Sequence, residues 1–247
     1  MAGHSHSANI AVRKGKQDAS RARVFSKLAR YIMIAAKNGG GDPTTNLRLR
    51  YAIDKARHVS MPKEKIERAI LKGTGELEGE TFEEVTYEGY GPGGVAILVE
   101  ALTDNRARTG GEMRNTFEKL GGNMGAIGCV GYLFDRKGLI LIDTKAFPDE
   151  DKAMEAALNA GAEDFQRDGD SYAVTTDVAG FGPVLDAMKE AGYVPVEADV
   201  KQLPQTYVEV ETEVGRKLIR LIDALDANED VQTVYSNANI TAAMVAD

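Results

Sequence analysis

The chain has 247 residues, 43 % of them hydrophobic and 28 % charged, with a formal net charge of −8. That composition fits an ordinary soluble globular protein of one large domain or two to three small ones. A single cysteine, Cys129, excludes an internal disulfide and a Cys-rich zinc site, and no run approaches the ~18 apolar residues of a membrane span.

The charge is segregated. From Met1 to Gly73 there are 16 Lys/Arg against 5 Asp/Glu, a net of +11; from Thr74 to Asp247 there are 14 against 33, a net of −19. A basic third followed by an acidic remainder points to a polyanionic partner for the first part. The alternative is a basic face docked onto the protein's own acidic domains.

The first 32 residues, MAGHSHSANIAVRKGKQDASRARVFSKLARYI, contain no apolar stretch of the kind a secretory signal needs. Being Arg- and Ser-bearing and acid-poor, they share the composition of a mitochondrial transit peptide. Phe25, Leu28, Ile32 and Ala35 recur at steps of three and four, which predicts a helix over 17–37. Asn38-Gly39-Gly40-Gly41 stops it. A second helix is expected from 45 or 46 to 58, with Leu49, Ile53 and Ala56 on one face. Ser60 reads as the N-cap of a third helix with Pro62 in its first turn, and Gly73 as its stop.

GTGELEGET (73–81) reads as a linker, after which the period changes. Strands are expected around 85–89 and 95–99, joined by the tight loop Tyr90-Gly91-Pro92-Gly93-Gly94. A helix over 106–120 points Met113, Phe117 and Leu120 inward, and a strand over 131–134 follows. Residues 137–203 then run βαββαβ: strand 138–142, helix 149–160 with Met154, Ala157 and Leu158 inward, strands 163–167 and 171–176, helix 180–190, and a strand from 193 to 200. That order is the ferredoxin-like split βαβ unit. A strand at 207–210, a helix bearing Leu218, Leu221, Ile222 and Leu225, and a strand at 231–235 complete the chain.

The fold class is therefore α/β (α+β): an N-terminal helical domain plus two α/β domains, one ferredoxin-like and inserted in the other. The expected boundaries are 1–78 for the basic arm and three helices, 79–135 with 205–247 for a discontinuous α/β domain, and 136–204 for the insert.

Motifs for catalysis are missing. There is no G-x-S-x-G, P-loop or H-E-x-x-H, and the acid pairs Glu83-Glu84 and Asp149-Glu150-Asp151 read as solvated surface, so the chain is expected not to be an enzyme. Gly89 to Gly94 matches G-x-G-x-x-G on paper, but a strand follows it rather than a helix, and Pro92 lacks an N–H. A glycine hairpin is the better reading, and a bare backbone that another molecule approaches is a further one. His4 and His6 lack a third ligand, and His58 suits a helix C-terminus, so neither metal nor cofactor is expected.

The basic residues carry the functional reading. Residues 13–37 hold eight bases and one acid, and Arg23, Lys27 and Arg30 share one helix face. Lys65, Arg68 and Lys72 repeat the pattern in the third helix. Phosphate contact through Arg13, Lys14, Lys16, Arg21, Arg23, Lys27, Arg30, Lys65, Arg68 and Lys72 is the economical account. Tyr90, Gly91, Arg106, Arg108 and Arg114 form an expected second contact surface. The arm has no aromatic residue before Phe25, which leaves it without a base-stacking group. The second and third helices with their short turn also resemble a helix-turn-helix, as any αα-corner does.

MAGHS at 1–5, Ala8-Asn9-Ile10, Arg13-Lys14, YEGYGPGGVAILVE at 87–100, TDNRART at 103–109 and FEKLGGNMG at 117–125 together resemble the YebC/PmpR family, in order and over essentially the whole chain. The resemblance implies three domains, one inserted in another. It implies a cytoplasmic DNA-binding transcriptional regulator, or a ribosome-associated translation factor that binds ribosomal RNA and eases synthesis of proline-rich stretches. A protein-docking adaptor is the remaining reading. No membrane or small-molecule partner is implied. Because the sequence starts where bacterial members start, no presequence is expected ahead of it. His6-Ser7 and Ala11-Val12 stand where members often have Lys-Trp and Lys-His, so the arm lacks one aromatic and some charge.

Overall fold

The computed structural model describes residues 21–245. These divide into two compact units: residues 21–130 with 217–234, and residues 131–216 with 235–245.

The first unit opens with three helices, α1 (Arg21–Gly39), α2 (Leu47–His58) and α3 (Lys63–Thr74). Their apolar faces meet in one core built from Ile32, Ala35 and Ala36 of α1, Leu49, Ala52, Ile53 and Ala56 of α2, and Ile66 and Ala69 of α3. Asn46 joins the first two helices. Its Nδ2 donates to the carbonyls of Ala35 and Gly40, each at 2.8 Å, and its Oδ1 accepts from Leu49 N at 3.0 Å. One buried amide thus satisfies groups at the end of α1 and the start of α2.

Two expected helix boundaries move. Ser60 is not the cap of α3; it sits at φ 59°, and Pro62 is the N-cap. Gly73 is not the stop. The left-handed residue that closes α3 is Gly75, at φ 83°. Gly73 lies inside the helix for a different reason: a Cβ there would collide with the Met33 carbonyl oxygen and come within 2.8 Å of Ala36 Cβ. Glycine at this position lets α1 and α3 pack backbone to backbone.

The period-two segments form the sheet β3-β1-β2-β8, with β1 (Glu83–Tyr90), β2 (Ala96–Thr103), β3 (Asn123–Met124) and β8 (Val231–Ser236). β1 and β2 are an antiparallel hairpin running from Glu83↔Thr103 to Tyr90↔Ala96. α4 (Arg106–Lys119) buries Met113 and Phe117, and α7 (Thr212–Asp226) buries Leu218, Leu221 and Leu225.

The second unit carries the sheet β5-β6-β4-β7, with β4 (Phe134–Asp143), β5 (Asp164–Asp168), β6 (Ser171–Thr176) and β7 (Pro195–Pro204), all antiparallel. With α5 (Glu150–Asn159) and α6 (Phe181–Glu190) in the crossovers, this is the ferredoxin-like arrangement. It lies in sequence between β3 and β8 of the first sheet, which is the insertion expected from the sequence.

Three local expectations fail here. Gly131–Leu133 is a 3-10 turn, not a strand, and β4 begins at Phe134, paired with Pro204. Residues 207–210 form only an isolated parallel bridge, Val208 to Ala238. On α5 the buried face is Ala153 and Ala157, while Met154 and Leu158 are exposed. The small alanines, not the large apolar residues, form its inner face. A four-residue helix, α8 (Ala242–Val245), ends the described chain.

Candidate nucleic-acid interface

Of the ten residues expected to touch phosphate, Arg13, Lys14 and Lys16 lie outside the described residues. Arg21, Arg23, Lys65 and Arg68 are exposed. Lys65 Nζ lies 5.2 Å from the centroid of the Phe25 ring, which brings the Phe25 face of α1, with Arg21 one turn earlier, beside α3, while Arg23 lies on the Lys27 and Arg30 face. Lys72 is half-buried, its stem set along Gly79.

Lys27 and Arg30 correct the expectation. Both are committed inside the molecule. Lys27 Nζ donates to the Asp226 carbonyl at 2.7 Å and pairs with Asp226 Oδ1 at 3.2 Å. Asp226 is the last residue of α7, where the helix dipole is negative, so an ammonium is well placed there. Arg30 Nη1 pairs with Asp230 Oδ1 at 2.8 Å and also donates to the Glu229 carbonyl. Its guanidinium stands 5.1 Å from the Phe82 ring centroid. Their side chains are only 15 % and 16 % exposed, so neither offers its full charge to a ligand in this arrangement.

The second expected surface changes more. Arg108 Nη2 pairs with Asp104 Oδ1 at 2.8 Å and Asp230 Oδ2 at 2.6 Å, which raises the guanidinium's pKa further. Gly91 is buried. A Cβ there would reach Ile97 Cδ1 at 2.8 Å and Leu218 Cδ1 at 2.9 Å, so this glycine serves packing rather than ligand approach. Tyr90 is 38 % exposed and its hydroxyl donates to the Cys129 carbonyl at 3.0 Å. Arg106 and Arg114 are exposed. The loop 91–95 turns a hairpin into β2, with no helix to receive a dinucleotide phosphate.

Asp230 is the residue the sequence reading missed. Its side chain is 4 % exposed. Besides both arginines it accepts from Thr109 Oγ1 at 2.6 Å and Thr103 Oγ1 at 3.1 Å. Burial pushes its carboxyl up, but the Thr109 and Arg108 hydrogen bonds and the Arg30 and Arg108 charges outweigh that and hold it below its ordinary value of 3.8. No local pattern marks it, since its donors are 121 to 200 residues away along the chain. Among the described residues, no three His, Cys, Asp or Glu side chains stand together as a metal site, and no helix is long and apolar enough to cross a membrane.

Comparison with known proteins gives this architecture its relatives. Residues 5–76 match the TACO1/YebC protein N-terminal domain, and residues 82–238 match the TACO1/YebC second and third domain. The chain belongs to the TACO1/YebC family. A TACO1/YebC-like relative from Geobacter sulfurreducens, named a "Probable transcriptional regulatory protein", is 50 % identical over 98 % of this chain and 97 % of its own. One from Treponema denticola with the same name is 52 % identical over 97 % of each. The crystal structure of a conserved hypothetical protein from Aquifex aeolicus matches with a TM-score of 0.83 and 46 % identity, covering 92 % of this chain and 93 % of that one.

The motifs that resemble the YebC family thus have a structural meaning in this chain. In TDNRART, Thr103, Arg108 and Thr109 bind Asp230, Asp104 pairs with Arg108, and Asn105 caps α4 by accepting from Arg108 N at 3.1 Å. In YEGYGPGG, buried Glu88 accepts from Gly128 N through Oε1 and from Val130 N through Oε2, both at 2.8 Å. A carboxylate that receives two backbone donors holds the loop 125–130 in place.

Proposed function

We propose that this YebC-family chain is a non-enzymatic, cytoplasmic regulator of gene expression that binds duplex DNA through its helical region. The supporting observation is that four cations of the helical region, Arg21 and Arg23 on α1 and Lys65 and Arg68 on α3, are exposed, whereas Lys27, Arg30 and Arg108 are paired with acids. Arg13, Lys14 and Lys16 extend the same basic sequence ahead of α1. Exposed cations contact phosphate and carry little base information. The names of the relatives, transcriptional regulatory proteins, agree with a nucleic-acid target.

The test is the salt dependence of binding to a labelled duplex. Replacing Arg23, Lys65 and Arg68 with alanine is expected to flatten the slope of log affinity against log salt by about 2–3 units, since each phosphate contact contributes ~0.9. An unchanged slope refutes the surface. Binding a structured RNA more tightly than the duplex, with the protein travelling with ribosomes in a sedimented lysate, would move the target to ribosomal RNA. Complexes that survive nuclease would make the chain a protein-docking adaptor.

A further inference from the structure

Three cations that sequence patterning assigns to phosphate, Lys27, Arg30 and Arg108, are all held by acids of one five-residue turn, Asp226 to Asp230. We infer that this turn is an internal stand-in for nucleic-acid phosphate: its carboxylates occupy Lys27 and Arg30 until a polyanion displaces them, so that ligand binding and the docking of α1 compete. The inference rests on the nucleic-acid reading above.

The geometry fits a replaceable contact. Lys27 and Arg30 are three residues apart and share one helix face, and Arg23 continues the row one turn earlier at an exposed position. Oxygens meet the two cations at 2.7 to 3.2 Å, the range in which phosphate oxygens would bind. Two of the three acids are wet. The Asp226 side chain is 55 % exposed and that of Glu229, 3.9 Å from Arg30 Nη2, is 78 % exposed. Ion pairs in such positions are weak and are readily exchanged for another anion.

Asp230 is the fixed point. If Arg30 leaves, its carboxylate keeps Arg108, Thr103 and Thr109, so no buried charge is orphaned. If Lys27 leaves, the Asp226 carbonyl at the end of α7 turns to water. Release gives up the Arg30 contacts with the Glu229 carbonyl and the Phe82 ring, which the phosphate contacts must offset, and it adds two cations to the row that Arg23 begins.

The experiment measures affinity for a labelled duplex and a labelled structured RNA in Asp226→Asn/Glu229→Gln. Relative to the wild type, binding should tighten about threefold to tenfold, and the log–log salt slope should steepen by about 1–2 units. The same acid substitutions in a Lys27→Ala/Arg30→Ala background should give no gain. A gain that persists there would reflect lower overall negative charge and would overturn the inference, as would no gain in a wild type that binds. Should Arg30→Ala unfold the chain, the cycle of Asp226→Asn with Lys27→Gln gives the same reading. A wild type that binds neither ligand at low salt overturns the nucleic-acid reading itself, a result distinct from an unaltered affinity.

Discussion

α1 and α3 carry nearly the same basic pattern and use it differently. Arg23, Lys27 and Arg30 step along one face of α1, and Lys65, Arg68 and Lys72 along one face of α3. On α1 two of the three are held by the carboxylates and carbonyls of the turn after α7. On α3 two of the three stand in solvent, and among the described residues the acids of that turn pair with Lys27, Arg30 and Arg108 instead. Equal periodicity therefore says that charges share a face, not what that face meets. The partner is decided by tertiary packing, and here packing places the acidic turn against α1 and not against α3.

The largest effect that breaks this difference comes from Asp230. Asp230→Ala leaves Arg30 and Arg108 without their shared carboxylate and is expected to cost about 2–4 kcal/mol, less than a wholly buried pair because the Arg108 side chain is 44 % exposed. Denaturant titration measures it. The pH dependence follows from the depressed folded pKa. The contribution is present above the unfolded value near 4 and is lost as pH falls through the folded value. The stability gap between wild type and Asp230→Asn should thus be constant from pH 7 to about 5 and close below about pH 4.

Gly73→Val tests the other side of α1, where it meets α3. A branched side chain against the Met33 carbonyl is expected to cost about 1–3 kcal/mol, read as a lower denaturant midpoint. Asn46→Ala removes the amide shared by α1 and α2 and should cost about 1–2 kcal/mol by the same measurement. The smallest effects sharpen the comparison directly. Lys65→Ala and Arg68→Ala should change stability by less than about 0.5 kcal/mol, whereas Lys27→Ala should lower it by about 0.5–1 kcal/mol, in thermal melts at low salt.

Much of the fold was legible because its signals are local. Helical steps of three and four in 25–35, the β run at 95–99 and the βαββαβ order each need only a short window. The failures share one cause, which is that a window does not show what lies across from it. Gly73 and Gly91 read as a stop and as open backbone, yet each faces a side chain or carbonyl from elsewhere in the chain. On α5 the inner face went to Ala153 and Ala157, because alanine allows a closer approach than Met154 and Leu158 do. For the candidate interface, the sequence marks which cations share a helix face but not the acids 199 and 200 residues away that hold Lys27 and Arg30.

The grip of Glu88 on the residues after β3 bears on how this chain can vary in length. Two oxygens of one carboxylate are matched to amides two positions apart, Gly128 and Val130, while the Glu88 carbonyl takes Gly125 N at 2.8 Å. Adding or deleting one residue between 125 and 130 would put at least one of these amides out of reach of a buried anion. Such indels should be absent from functional relatives there, yet tolerated in the exposed, glycine- and acid-rich stretch 75–81.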